Sequence, residues 1–236
     1  MFWLGVWQLA AQSVGQALLL PGPGLVLAQL LELGGTALFW HSALYSLLRV
    51  LSGFLAGAAA GALLAALAAA LPWADLIFSP AVRVIRAIPV ASFILLLMLW
   101  LSTGMVPGVC AGLMVMPVVW GNVRKGIDET DPLLLESAKA YHFTPMKTVR
   151  LVYLPSVLPY FASSCVTGLG LAWKAGVAAE VLSHPKLAVG LEMQKSKLYL
   201  ETASLFAWTV VVILLSFLLE QMLFTLFRKF ERGRGR

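Results

Sequence analysis

The chain has 236 residues, of which 60% are hydrophobic and only 12% charged, and its mean hydropathy is +0.88. Those values exclude a soluble globular domain and describe a polytopic membrane protein with no charged stretch long enough to build an appended soluble domain. The net charge of +6 sits in the connections and the tail, as the positive-inside rule requires, and does not point to nucleic acid.

Residues 2–20 are apolar apart from Gln8, Gln12, Ser13 and Gln16. The glutamines recur every four residues and form one helical stripe, expected to face protein because amides are costly against lipid. No Lys or Arg opens the segment, so it reads as a retained first span and not as a signal peptide. Pro21-Gly22-Pro23-Gly24 ends it, and residues 26–38 read as a short amphipathic or interfacial piece. A second span covers 39–71. Its Gly53, Gly57 and Gly61 make a small-xxx-small ridge that admits a close neighbouring helix. Arg49, near its start, must snorkel or pair.

Residues 72–86 read as a short polar turn holding Asp75, Arg83 and Arg86. The uncharged run 87–121 is 35 residues long, too long for one span of about 20. Ser102-Thr103-Gly104 and Pro107-Gly108 break it, which gives spans over 84–101 and 105–120. Cys110 and Cys165 lie inside apolar runs, a setting for buried free thiols and not for a disulfide. A fifth span over 151–182 carries Lys174 and Glu180. A polar loop over 183–203, a sixth span over 204–227 and a basic tail complete the chain.

Residues 131–155, DPLLLESAKAYHFTPMKTVRLVYLP, form the one long polar segment. Asp131 can cap a helix with Pro132 at its first position. Leu133, Leu134, Ser137 and Ala138 then share a face, flanked by Glu136 and Lys139. Thr144-Pro145 repeats the start signal. The reading is a short helix, a break near Tyr141-His142-Phe143, and a second helix running into the fifth span. With both termini in the cytoplasm, twelve of the 17 basic residues fall inside and three outside, which supports the six-span division.

No GxxxxGK[ST] phosphate loop is present, so any ATP-driven motor must be another subunit. His41, His142 and His184 are scattered and offer no metal cluster, and the polar loops hold no nucleophile–base–acid set. Neither an enzyme nor a bound cofactor is expected.

Glu136-Ser137-Ala138, His142 and Tyr153-Leu154-Pro155 together resemble the cytoplasmic EAA loop of bacterial ABC-importer permeases. Ser137 replaces the family's first alanine, and His142 stands where the family usually has glycine. The likeness extends to Trp7 with Leu20-Pro21-Gly22-Pro23, and to His41, Tyr45-Ser46-Leu47-Leu48-Arg49-Val50 and Gly53-Phe54. Pro80 with Arg86-Ala87-Ile88-Pro89, Gly170-Leu171-Ala172-Trp173-Lys174 and Ala179-Glu180-Val181-Leu182 continue it. In this form it is similar to the nitrate/sulfonate/taurine group, which includes permeases for thiamine pyrimidine precursors.

The resemblance implies an all-α, type I ABC-importer permease fold with six transmembrane helices in a bacterial inner membrane. It implies an N-terminal helix and external connection over 1–38 and a five-helix core over 39–236, with a coupling loop over 122–150. Asp131, Leu133, Leu134, Leu135, Glu136, Ser137, Ala138, Lys139, Tyr141 and His142 would form the coupling contact. Two partner ATPase subunits would hold ATP and Mg. A second permease copy, giving a homodimer, and an extracytoplasmic binding protein or lipoprotein would complete the importer for a small anionic or heterocyclic solute. Lys174 and Glu180, as ionisable residues within a span, are candidates for the translocation path or structural anchors near the outer interface. The alternative classes are an ATP-independent secondary transporter or channel subunit and a structural membrane subunit. The first would often show paired inverted halves, and no second copy of the polar loop is seen.

Overall fold

The computed structural model describes residues 2–234, with side chains to residue 228. Regular structure among them is helical throughout. In chain order the helices are α1 (Phe2–Val14), α2 (Pro23–Gly34), α3 (Ala37–Ala70), α4 (Pro72–Ala87), α5 (Val90–Trp100) and α6 (Val106–Asp128). They continue as α7 (Pro132–Ala140), α8 (Pro145–Thr148), a π-helical turn (Val149–Tyr153), α9 (Leu154–Ser183), α10 (Val189–Leu198) and α11 (Thr202–Arg234).

The frame is a bundle of α3, α6 and α9. A Cβ at Gly53 would overlap the Gly108 backbone, one at Gly57 the Gly112 backbone, and one at Gly61 the Met116 carbonyl oxygen. The ridge expected from sequence is therefore the seam along which α3 and α6 touch backbone to backbone, an approach only small residues allow. α9 closes the bundle: Val50 and Phe54 of α3, Val115 of α6, and Leu169 and Trp173 of α9 share one buried cluster. The Trp173 indole N–H donates to the Val212 carbonyl at 3.0 Å, which fastens α11 to α9. Cys110 and Cys165 are free and buried.

Among the described residues, four helices are long and apolar enough to cross a membrane: Ala37–Ala70, Val106–Asp128, Pro145–Ser183 and Thr202–Arg228. The bent pair α4–α5 makes a fifth if the two count as one span. The expected count of six is not reached by length, because α1 stops at 13 residues. At 1.5 Å per residue that is about 20 Å, short of a hydrocarbon core of about 30 Å. Gly15, at φ +67°, ends it. Gln8, Gln12 and Gln16 are exposed on this chain, and the Gln8 amide lies beside Gly22. The inward residue is Trp7, which stacks on Phe206 at 6.0 Å and donates to the Pro21 carbonyl at 3.1 Å.

Two segments read as turn and loop are helices. Residues 72–86 belong to α4, which has Pro72 at its start, Asp75 in its first turn and Arg86 in its last, all favourable for a helix. Pro89 holds the preceding Ile88 extended at φ −74° and ψ 127°, so α5 resumes at 108° to α4. The expected third span, 84–101, is thus broken at its own proline. Within 183–203 lies α10, whose first N–H groups are satisfied from other helices. Val189 N–H donates to Ser46 Oγ at 2.9 Å and Gly190 N–H to Glu180 Oε2 at 3.1 Å. The basic tail beyond Arg228 lies outside the described side chains.

Candidate coupling segment and intramembrane charges

The central polar segment folds as its sequence dictates. The Asp131 carboxylate accepts the Leu133 N–H at 2.8 Å, and Pro132 takes the first helical position. Ser137 Oγ donates to the Leu133 carbonyl at 2.8 Å. The helix stops after Ala140 in a Schellman arrangement: Phe143 N–H reaches the Ala138 carbonyl at 2.9 Å and His142 N–H the Lys139 carbonyl at 3.0 Å. That closure needs a left-handed residue, and His142 adopts it at φ +50°. A side chain with a Cβ pays for this conformation by about 1–2 kcal/mol. Thr144 Oγ1 then accepts the Lys147 N–H at 3.4 Å and starts α8.

Of the candidate coupling residues, only Ala138 is buried. Leu133, Leu134 and Tyr141 are exposed at 68%, 49% and 77%, and Met146 beyond the turn at 76%. Leu135 is half-buried, while Asp131, Glu136, Ser137, Lys139 and His142 are exposed. Glu136 makes no ion pair with the loop among the described residues. The helix therefore offers an apolar face rimmed by charge, with Ala138 buried and Leu135 half-buried on its inner side.

The roots of the segment are tied down by residues that sequence reasoning passed over. Arg124 donates to Asp75 on α4 at 3.0 Å and pairs with Asp128 one turn on at 3.2 Å. Tyr160 of α9 donates its hydroxyl to Glu129, just past the end of α6. The Tyr160 ring packs against Gly126, where an added Cβ would come within 2.9 Å of it. Between α8 and α9 the backbone widens into the π-helical turn, with Leu154 N–H bonding the Val149 carbonyl. Pro155 follows, and its missing N–H removes an ordinary i→i−4 bond there. Beside this turn lies an apolar groove of about 520 Å³ between Ala62, Ala66 and Ala69 of α3, Ile127 of α6, and Val157 and Phe161 of α9.

At the far end of α9 Glu180 is fully buried. Arg49 stands 3.5 Å from one carboxylate oxygen, while Ser46 Oγ donates to the other at 2.8 Å. Arg49 also donates to the Leu187 and Lys186 carbonyls at 2.9 and 2.7 Å. One pair of charges thus joins α3, α9 and the approach to α10. Lys174 is not part of it: its side chain leaves an exposed side of α9, about 120° around the helix from Glu180. A further charge within a span, Glu220 on α11, was missed although its apolar surroundings marked it. Its carboxylate lies beside Gly170, 3.2 Å from where a Cβ would stand.

Residues 53–232 match the family of binding-protein-dependent transport system inner membrane components. The chain belongs to that family. It is 24% identical to the taurine transport system permease protein TauC of Escherichia coli (strain K12) over 97% of this chain and 85% of that one. It is 30% identical to the riboflavin transport system permease protein RibX of Chloroflexus aurantiacus, over 94% of this chain and 86% of that one. It is also 30% identical to the putative aliphatic sulfonates transport permease protein SsuC of E. coli, over 84% and 76%. In fold it is similar to an amino acid ABC transporter solved with histidines, at a TM-score of 0.65, 19% identity, and 83% and 94% coverage. The inward-facing MetNI methionine transporter gives 0.60, 20%, and 80% and 93%. The chain is thus an inner-membrane ABC-importer permease, a transport component and not an enzyme, and in such systems the ATPase is a separate subunit.

Proposed function

We propose that this permease works as a homodimer driven through α7, which docks its exposed Leu133, Leu134 and Tyr141 in a groove of a partner ATPase, with one ATPase per copy. ATP and Mg reside on the ATPase. The C-terminus and the α7 segment face the cytoplasm, and an extracytoplasmic binding protein or lipoprotein delivers the solute on the α10 side. By analogy with the taurine and sulfonate relatives, the solute is small and anionic, or heterocyclic as for the riboflavin relative.

The observation that carries this reading is the mounting of α7. It exposes large apolar side chains at the end of a membrane bundle, with only Ala138 of the candidate coupling residues fully buried. Closure of the ATPase pair moves that helix as a body, and the displacement enters α9 through the π-helical turn. Glu136, at the rim, supplies a charged contact to the ATPase. Substituting Glu136→Lys, with transport and ATP hydrolysis measured on the purified complex, is expected to uncouple transport while the protein stays in the membrane. Normal transport by that variant would remove Glu136 from the contact.

A further inference from the structure

The apolar groove beside the π-helical turn is cut by alanines. Ala62, Ala66, Ala69 and Ala70 recur along one side of α3 at helical spacing, with Val157 and Phe161 of α9 on the other wall. The helices that form it are long and apolar enough to cross a membrane, so the groove runs with the lipid chains. Its rim is apolar as well, since Leu67 and Leu154 are exposed. Its size limits what can fill it. From Ala62 to Ala70 is about 12 Å at 1.5 Å per residue. A volume of about 520 Å³ over that length leaves a cross-section of about 40 Å². A helix about 10 Å across needs about twice as much. A neighbouring helix would rest on the rim and leave the floor empty, whereas a hydrocarbon chain enters.

The mouth of the groove is cationic. Val149, Tyr153 and Leu154 line it, and Arg150 lies one turn before Leu154 on the same face. Arg150 is exposed, and neither it nor Lys147, one turn earlier, makes an ion pair among the described residues. Lys147 stands over the Phe143 ring at 4.1 Å. The carboxylates at the end of α6 are already engaged, Asp128 by Arg124 and Glu129 by Lys125 and the Tyr160 hydroxyl. An apolar trough that ends at an unpaired guanidinium matches an amphiphile with a long hydrocarbon chain and an anionic head. We propose that the groove binds an acyl chain of an anionic phospholipid from the leaflet at the α7 end, with the lipid phosphate on Arg150. The planar guanidinium suits two phosphate oxygens at once. The chain lies against the π-helical turn and fills the space between α3 and the start of α9. This goes beyond the transport reading and needs only the membrane bundle.

The test uses the full chain in phosphatidylcholine vesicles doped with phosphatidylglycerol that bears a photoactivatable diazirine on one acyl chain. Adducts are mapped by mass spectrometry, and phosphatidylcholine with the same diazirine chain is the comparison probe. Groove peptides covering 62–70 and 149–161 are expected to label more strongly than the exposed α11 face at 213–218 with either probe. In the groove the phosphatidylglycerol probe should exceed the phosphatidylcholine probe about fivefold, the preference one arginine gives near a membrane surface. Arg150→Gln should equalise the two probes there. Ala66→Trp, at an exposed position, should bring both down to the α11 level. Groove labelling no stronger than that of α11 in the wild type would overturn the site. Equal labelling by the two wild-type probes, or an unchanged preference in Arg150→Gln, would overturn the anionic contact. A disulfide between Ala66→Cys residues of two copies would show that protein covers the groove, and would overturn the proposal outright. The wild-type comparison decides by itself, so a variant that fails to fold leaves the test intact.

Discussion

The two ends of α9 are built on opposite plans. At the α10 end a buried carboxylate is surrounded by an arginine, a serine hydroxyl and a backbone N–H, which join three helices. At the α7 end the same rod begins in a π-helical turn, is followed by Pro155 and Pro159, and borders an apolar groove. Both ends have distant polar partners, Ser46 and Arg49 for Glu180 at one and Glu129 for Tyr160 at the other, but at the first they are buried and at the second exposed. Only the α7 end has lost regular hydrogen bonds and carries a helix with most of its side chains exposed. A lever needs this asymmetry, because force applied at a yielding end rotates the rod about a fastened one.

The largest effect is expected from breaking the frame both ends depend on. Gly57→Leu forces a side chain into the α6 backbone and should abolish folded protein in a detergent-extraction and gel-filtration assay. Recovery of a normal folded peak would mean the α3–α6 seam yields. Next is the fastened end. Arg49→Met leaves Glu180 buried without its cation and should cost about 3–5 kcal/mol, read as a fall in thermal midpoint. The double variant Arg49→Met, Glu180→Leu should recover much of that loss, since no charge is then stranded. A double variant no better than the single would assign the loss to the arginine's carbonyl contacts. The smallest effect belongs to the yielding end. His142→Gly removes the left-handed penalty and should stabilise the turn after α7 by about 1 kcal/mol, read as slower hydrogen exchange at Phe143. Faster exchange would show that the imidazole itself holds the turn.

What the sequence disclosed divides along the same line. The α7 segment was legible because its signals are local, Asp131 before Pro132 and Thr144 before Pro145, and the family resemblance added the glycine-type position at 142. The glycine ridge was legible because a close helix crossing leaves a four-residue period. The fastened end was legible only in part: Arg49 was expected to snorkel or pair, but its partner Glu180 and Ser46 are brought together across more than 130 residues. The caps of α10 lie on α3 and α9, so residues 183–203 read as loop. α4 read as a turn because Asp75, Arg83 and Arg86 dominate its composition, while Ala74 and Val82, which it buries, are weak apolar markers. Glu220 was passed over inside a run that otherwise reads as lipid-facing, and its neighbour Gly170 becomes visible only when α9 and α11 are packed.

The most direct measurement is hydrogen exchange on the purified permease–ATPase complex, with and without a non-hydrolysable ATP analogue. Nucleotide is expected to change protection over residues 133–159, from α7 through the π-helical turn, while residues 176–192 at the Glu180 end stay constant. Protection that changes around Glu180 while α7 and its junction remain still would contradict entry of the force at the α7 end.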